Sequence, residues 1–128
     1  MIPMGREPAP AFLFYVQDFL TDPAVLRMDL EEIGAYVKLL ALAWREGSLP
    51  MDTGALAELV RASPVRFETK IWPAIGECFI PQDGRLVNPR LERERHEQRR
   101  RERARRDLRE ARTRNARAAA AARWGNGG

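Results

Sequence analysis

The residues able to do chemistry fall into three groups: carboxylates near the start, one thiol, and a large excess of guanidinium groups toward the end. Asp18, Asp22, Asp29, Glu31 and Glu32 are the set from which a two-metal phosphoryl-transfer centre would be drawn, because that chemistry needs acidic oxygens a few ångströms apart. Asp29 and Glu32 are also spaced to cap a helix, and that structural role is expected for them. Cys78 lies between Glu77 and Phe79 with no histidine in its part of the chain, so a buried structural thiol is expected rather than a nucleophile. A single histidine, His96, removes a histidine-rich metal site and a histidine-based triad. Gly47, Gly54, Gly76 and Gly84 never reach the spacing of a nucleotide-phosphate loop. No catalytic residue, cofactor or metal ligand is expected.

The guanidinium groups are the stronger signal. Residues 1–90 carry 9 basic and 12 acidic side chains, net −3, whereas residues 91–128 carry 13 and 6, net +7. The 128-residue chain therefore joins two different materials. Arg99, Arg100, Arg101, Arg103, Arg105 and Arg106 would lay positive charge along nucleic-acid phosphates. In the acidic part the candidates for DNA contact are Arg66 and Lys70, four apart, with Arg61 before them and Arg85 and Arg90 after, in a field diluted by Glu68 and Glu77. A domain of negative net charge is a weak DNA clamp by itself, because phosphate neutralisation and counterion release dominate affinity. No apolar run approaches the roughly 20 residues that span a bilayer, and Ala11 to Val16 is too short for a secretory signal. A cytoplasmic protein with no membrane partner is expected.

The elements that must position these residues can be read in order. Residues 1–10 hold three prolines and no periodicity, a flexible lead-in. Phe12 to Val16 is an apolar run with the length of an edge strand or extended segment, and Asp22-Pro23 marks a turn. Asp29 with Glu32 opens a helix whose stripe is Leu30, Ile33, Tyr36, Val37, Leu40 and Trp44, ended by Gly47. Gly34 inside it suggests close approach of another backbone. Asp52 caps a second helix with Leu56, Leu59 and Val60 on one side. Ser63-Pro64 starts a third carrying Val65, Ile71 and Ile75, which Pro73 should end or kink. Cys78-Phe79-Ile80 and Arg85-Leu86-Val87 then flank the turn Pro81-Gln82-Asp83-Gly84 as a hairpin. A hairpin directly after a helix-turn-helix is a wing. The expected fold class is mainly α with a small β-hairpin: a winged helix-turn-helix over residues 11–90. A long charged C-terminal helix follows over residues 91–124, with a disordered end at 125–128. Glu97 with Arg101, Glu102 with Arg106 and Glu110 with Arg114 support that helix, as does the run Ala118 to Ala122. It lacks the large apolar residues of a coiled coil.

Five ordered stretches carry a resemblance. They are Phe14-Tyr15-Val16-Gln17-Asp18-Phe19-Leu20, Glu31-Glu32-Ile33-Gly34-Ala35-Tyr36, Trp44-Arg45-Glu46-Gly47-Ser48-Leu49-Pro50, Trp72-Pro73-Ala74-Ile75, and Phe79 to Leu91. Over about residues 12 to 91 the chain resembles the YdaU-like domain of unknown function of phages and prophages. Ala122-Arg123-Trp124-Gly125 is similar to a stretch that follows the domain in many relatives. The resemblance implies a winged-helix module near phage replication initiation or helicase loading.

Three functions fit these features. The first is a non-enzymatic DNA-binding accessory protein of phage or prophage origin, in which the winged helix orients the protein on duplex or single-stranded DNA and the arginine-rich helix supplies the affinity. The second is a protein-interaction or self-assembly module that docks a replicative helicase, a loader or another copy of itself, with Phe67 and Trp72 as exposed interface residues. The third is a phage transcriptional regulator built on the same scaffold.

Overall fold

Asp29 and Glu32 form the expected capping box. The Glu32 backbone N–H donates to Asp29 Oδ1 at 2.9 Å and the Asp29 N–H to Glu32 Oε1 at 2.9 Å, satisfying donors that a helix start leaves free. This description comes from a computed structural model, which describes residues 10–125. Most of the expected lead-in, residues 1–9, and residues 126–128 of the expected disordered end lie outside the described residues. The capped helix is α3 (Leu30–Glu46), preceded by α1 (Val16–Thr21) and α2 (Pro23–Leu26). Gly47 closes α3 with φ 90°, the left-handed conformation glycine adopts without steric cost.

At the start of the chain the edge-strand alternative falls away and the expected turn is corrected. Phe12 to Tyr15 lie outside every helix and strand among the described residues, and Val16, expected to end the run, opens α1. Their rings pack onto helices instead, Phe12 at 5.3 Å from Trp44 and Phe14 at 4.9 Å from Phe19 between centroids. Asp22-Pro23 is a helix start rather than a turn, since Asp22 Oδ1 accepts the Ala24 N–H at 2.9 Å and Pro23 takes the first position of α2.

The buried face of α3 is also rotated from the expected stripe. It consists of Ala35, Tyr36, Leu39, Leu40, Ala43 and Trp44, whereas Leu30 and Val37 face outward. Gly34 is exposed, with nothing near its Cβ position, so no backbone approaches it there. Onto this face pack Leu49, Leu56, Phe67, Ile71, Ile75, Phe79, Leu86 and Leu91, all buried. Each large side chain removed from water contributes about 1.5–3 kcal/mol.

The helix-turn-helix follows from its caps. Asp52 accepts the Ala55 N–H to start α4 (Thr53–Val60), and Arg61 ends it with φ 62°. The Ala62 N–H reaches Ala57 O at 2.9 Å and the Arg61 N–H reaches Glu58 O at 3.1 Å, the paired bonds of a Schellman motif with arginine where glycine is usual. Ser63 Oγ then accepts the Arg66 N–H and Pro64 opens α5 (Pro64–Arg66). Pro73 does not end the helix. A π-helical turn over Phe67–Ile71 precedes it, the Trp72 N–H bonding Phe67 O, and α6 (Trp72–Ile75) continues. The wider turn accommodates the proline ring and its missing N–H.

A 3₁₀ turn (Gly76–Cys78) leads to β1 (Ile80–Gln82) and β2 (Arg85–Val87), paired antiparallel with Gln82 opposite Arg85. Asp83 and Gly84 alone form the turn, with φ 53° and 76°, so it is two residues shorter than the sequence suggests. Leu49 and Leu86 exchange backbone hydrogen bonds at 2.8 Å in both directions, tying the α3–α4 connection to the hairpin. This is the element order of a winged helix-turn-helix.

The last helix, α7, spans Pro89–Gly125. Asn88 starts it, its Oδ1 accepting the Leu91 N–H at 3.0 Å while its Nδ2 donates to Cys78 O at 2.9 Å. The chain divides into two compact units, Met1–Arg95 and His96–Gly128. The boundary thus falls five residues after the expected 90, because Leu91 and Glu94 are buried and Arg95 packs on Trp44. Gly125 is the last residue of α7 rather than the first of a disordered end.

Candidate nucleic-acid interface

Arg66 and Lys70, the two cations expected to contact DNA from the third helix, are each paired to carboxylates of α3 or its N-cap. Arg66 donates from Nε and Nη2 to the two carboxylate oxygens of Glu31 at 2.6 and 2.8 Å. Lys70 Nζ donates to Asp29 Oδ2 at 2.7 Å and lies 3.5 Å from Glu32 Oε2. The Lys70 ammonium, followed by the Glu32 backbone N–H, holds the Asp29 carboxyl below the ordinary range, and the Arg66 guanidinium does the same for Glu31. These carboxylates raise Arg66 and Lys70 in turn. The N-cap Asp29 and the first-turn Glu31 and Glu32 of α3, favoured there by the helix dipole, thus offset the charge of Arg66 and Lys70.

The other expected contacts in the globular unit are dispersed. Arg61 is exposed in the turn between α4 and α5. Arg85, next to the hairpin turn, donates from Nε to Ser48 Oγ at 2.8 Å. Arg90 has its Nη2 at 3.8 Å from Asp22 Oδ2. It lines an open cleft of about 370 Å³ together with Arg27, Arg93, Tyr36 and Cys78. Arg27 in that cleft is paired to Glu77 at 2.8 Å. Burial raises the Cys78 thiol above its ordinary value, which keeps it protonated at neutral pH. Burial also pushes Tyr36 up to about 12.

Of the two residues expected to be exposed at an interface, Phe67 is corrected. Phe67 is fully buried at 0% exposure, and Trp72 is half-buried, stacked at 5.8 Å on Phe67 and 6.1 Å on Phe79. The three rings brace the helix across its π turn. Other large apolar residues do face outward, among them the run near the start of the chain, Leu13, Phe14, Tyr15, Val16 and Leu20, each about half exposed.

In the second unit, residues 96–128, there are 11 arginines against 4 carboxylates, net +7. Arg99, Arg100, Arg101, Arg103, Arg105 and Arg106 are all exposed there, as are Arg109, Arg112, Arg114, Arg117 and Arg123, which the sequence reading left out of the cluster. Glu97 pairs with Arg100 at 3.1 Å. What the unit offers chemically is a guanidinium surface able to fork onto phosphate oxygens. Among the described residues no helix is long and apolar enough to cross a membrane.

No curated protein and no solved structure matches the chain. A family does match, over residues 12–95, an interval that ends where the first compact unit ends and takes in Leu91 and Arg95. The chain belongs to the family described as Protein of unknown function (DUF1376).

Proposed function

We propose that this protein is a non-enzymatic DNA-binding accessory factor of phage or prophage origin, acting in replication initiation or helicase loading in the cytoplasm of a bacterial host. The observation that carries the reading is the net +7 charge of residues 96–128, with every arginine exposed. A surface of this kind gains affinity by releasing the counterions condensed on DNA. The globular unit, at net −3 over residues 1–95 and with Arg66 and Lys70 neutralised, contributes orientation more than affinity. The phage origin and the replication role come from the resemblance of the ordered motifs.

The test is fluorescence anisotropy at low salt with the full chain and a variant carrying glutamine at 99, 100, 101, 103, 105 and 106. Glutamine keeps the helix propensity and removes the charge. Binding by the parent and its loss in the variant support the reading; a parent that binds no DNA overturns it.

A second reading, a protein-docking module, is favoured by the half-exposed cluster Leu13, Phe14, Tyr15, Val16 and Leu20. Contiguous apolar surface of this kind marks contact sites. It predicts that substitutions at Phe14 and Leu20 abolish assembly with a partner protein while leaving DNA affinity unchanged.

A further inference from the structure

Ten of the eleven arginines of α7 beyond His96 form two rows rather than an even collar, Arg100 alone lying on the arc between them. At about 100° per residue, Arg99, Arg103, Arg106, Arg114 and Arg117 fall within a band of about 80°. Arg101, Arg105, Arg109, Arg112 and Arg123 fall within a second band of about 80° on the far side. Between the rows, on the wider arc, run Ala104, Leu108, Ala111, Asn115, Ala118 and Ala122, at alternating steps of four and three. Glu102 and Glu110 lie outside this arc and Asp107 lies at its edge. Within residues 104–123 the positive charge is therefore split to either side of a face whose central hydrogen-bonding side chain is Asn115, with Asp107 at one edge.

We propose that residues 104–123 enter the major groove of B-form duplex DNA, the two arginine rows reaching the phosphates of the two strands and Asn115 meeting a base edge. The inference rests on the DNA-binding reading and deepens it by naming the form of nucleic acid. A helix with its side chains is about 10–12 Å across, close to the roughly 12 Å width of that groove. A face of four alanines with Leu108 and Asn115 lets the backbone approach closely along most of its length while arginines on both flanks span to the phosphates. Asparagine can pair with the N6 and N7 atoms of adenine, and alanine packs on thymine methyl groups. The deep, narrow major groove of A-form RNA does not admit such a helix. Single strands are held by aromatic stacking platforms, and after residue 95 the chain has one aromatic residue, Trp124.

The experiment measures the affinity of the full chain, at one salt concentration, for a mixed-sequence DNA duplex, for its separate strands and for the RNA duplex of the same sequence. The DNA duplex is expected to bind at least about tenfold tighter than either, one groove contact's worth of discrimination. Ala111→Leu with Ala118→Leu fills the slender face without loss of helix propensity, and is expected to weaken duplex binding about tenfold. Single-strand binding should not change. Ala120→Leu, on the opposite arc, is the control, and circular dichroism verifies that each variant keeps its helix. Equal affinity for duplex and single strand, or tighter binding to duplex RNA, overturns groove insertion while the charge-driven DNA reading stands. Binding to no nucleic acid overturns both.

Discussion

The Arg95 guanidinium lies 4.6 Å from the centroid of the Trp44 ring, and its Nη atoms donate to Ala43 O at 3.1 Å and Trp44 O at 3.3 Å. One side chain at the start of α7 thus meets two carbonyls in the last turn of α3, Ala43 O, which also accepts the Gly47 N–H at 2.9 Å, and Trp44 O. Arg95→Ala should cost about 2 kcal/mol, from a cation–π contact and charge-assisted hydrogen bonds. Arg95→Lys should recover less than half of this, because an ammonium cannot reproduce the planar fork. Urea unfolding measures both. The same relationship predicts that a chain ending after residue 90 unfolds more easily than one ending after residue 95. The difference should be about 3 kcal/mol, since the shorter chain also lacks the buried Leu91.

Much of the fold was legible where the signal is local. Asp29 with Glu32, Gly47, Asp52, Ser63-Pro64 and Asp83-Gly84 each sit where their own chemistry places them, because caps and turns are settled within a few residues. What failed depended on partners distant in sequence. The stripe of α3 was drawn through Leu30 and Val37, but packing from several directions set the buried face. Phe67 reads as an exposed aromatic until the stack with Trp72 and Phe79 is known. Arg66 and Lys70 have the spacing of a reading face, and nothing local reveals Glu31 and Asp29, 35 and 41 residues away, as their partners. Arg95 carried no sequence signal beyond being one arginine among many.

The burial of Phe67 separates a structural role from a docking role. Phe67→Ala should destabilise the protein by about 3–5 kcal/mol, the cost of truncating a fully buried aromatic. Trp72→Phe, which preserves the stack, should cost much less. Thermal unfolding reads the difference. A Phe67→Ala protein of unchanged stability that had lost a binding partner would restore the interface role.

The ion pairs at the start of α3 set an acid dependence. Asp29 and Glu31 titrate below their ordinary values because Lys70 and Arg66 favour their charged forms. Their contribution is present above the unfolded carboxylate values of about 4 and is lost as pH falls through the lower folded values. Both pairs are solvent-exposed, so the effect on total stability is small. Carboxyl NMR titration is the sensitive probe. The Asp29 midpoint should rise toward the ordinary range in Lys70→Ala, and the Glu31 midpoint in Arg66→Ala. Midpoints that stay put in these variants would show that the pairs do not form in solution.

Tyr36 sets the alkaline limit. Its hydroxyl is pushed up to about 12, first by burial and then by the neighbouring Cys78. A raised phenol contributes stability that is fully present below the unfolded value of about 10 and is lost as pH rises toward the folded one. In a Tyr15→Phe background Tyr36 is the sole tyrosine, and phenolate absorbance should appear near pH 12 or together with unfolding. Ionisation near pH 10 in a chain still folded by circular dichroism would contradict the burial.

Under the proposed DNA-binding function, the salt dependence of affinity locates the phosphate contacts. Each neutralised phosphate adds about −0.9 to the slope of log affinity against log salt, so removing one contacting cation flattens the slope by about one unit. Arg105→Gln with Arg112→Gln, both exposed on α7, should flatten it by about two units. Arg66→Gln with Lys70→Gln removes cations already engaged by Glu31 and Asp29, and should leave the slope nearly unchanged. The two double variants alter formal charge equally, so the comparison isolates position from net charge. The opposite ranking would mean that DNA displaces the carboxylates of α3 from Arg66 and Lys70, returning the phosphate contacts to the helix-turn-helix.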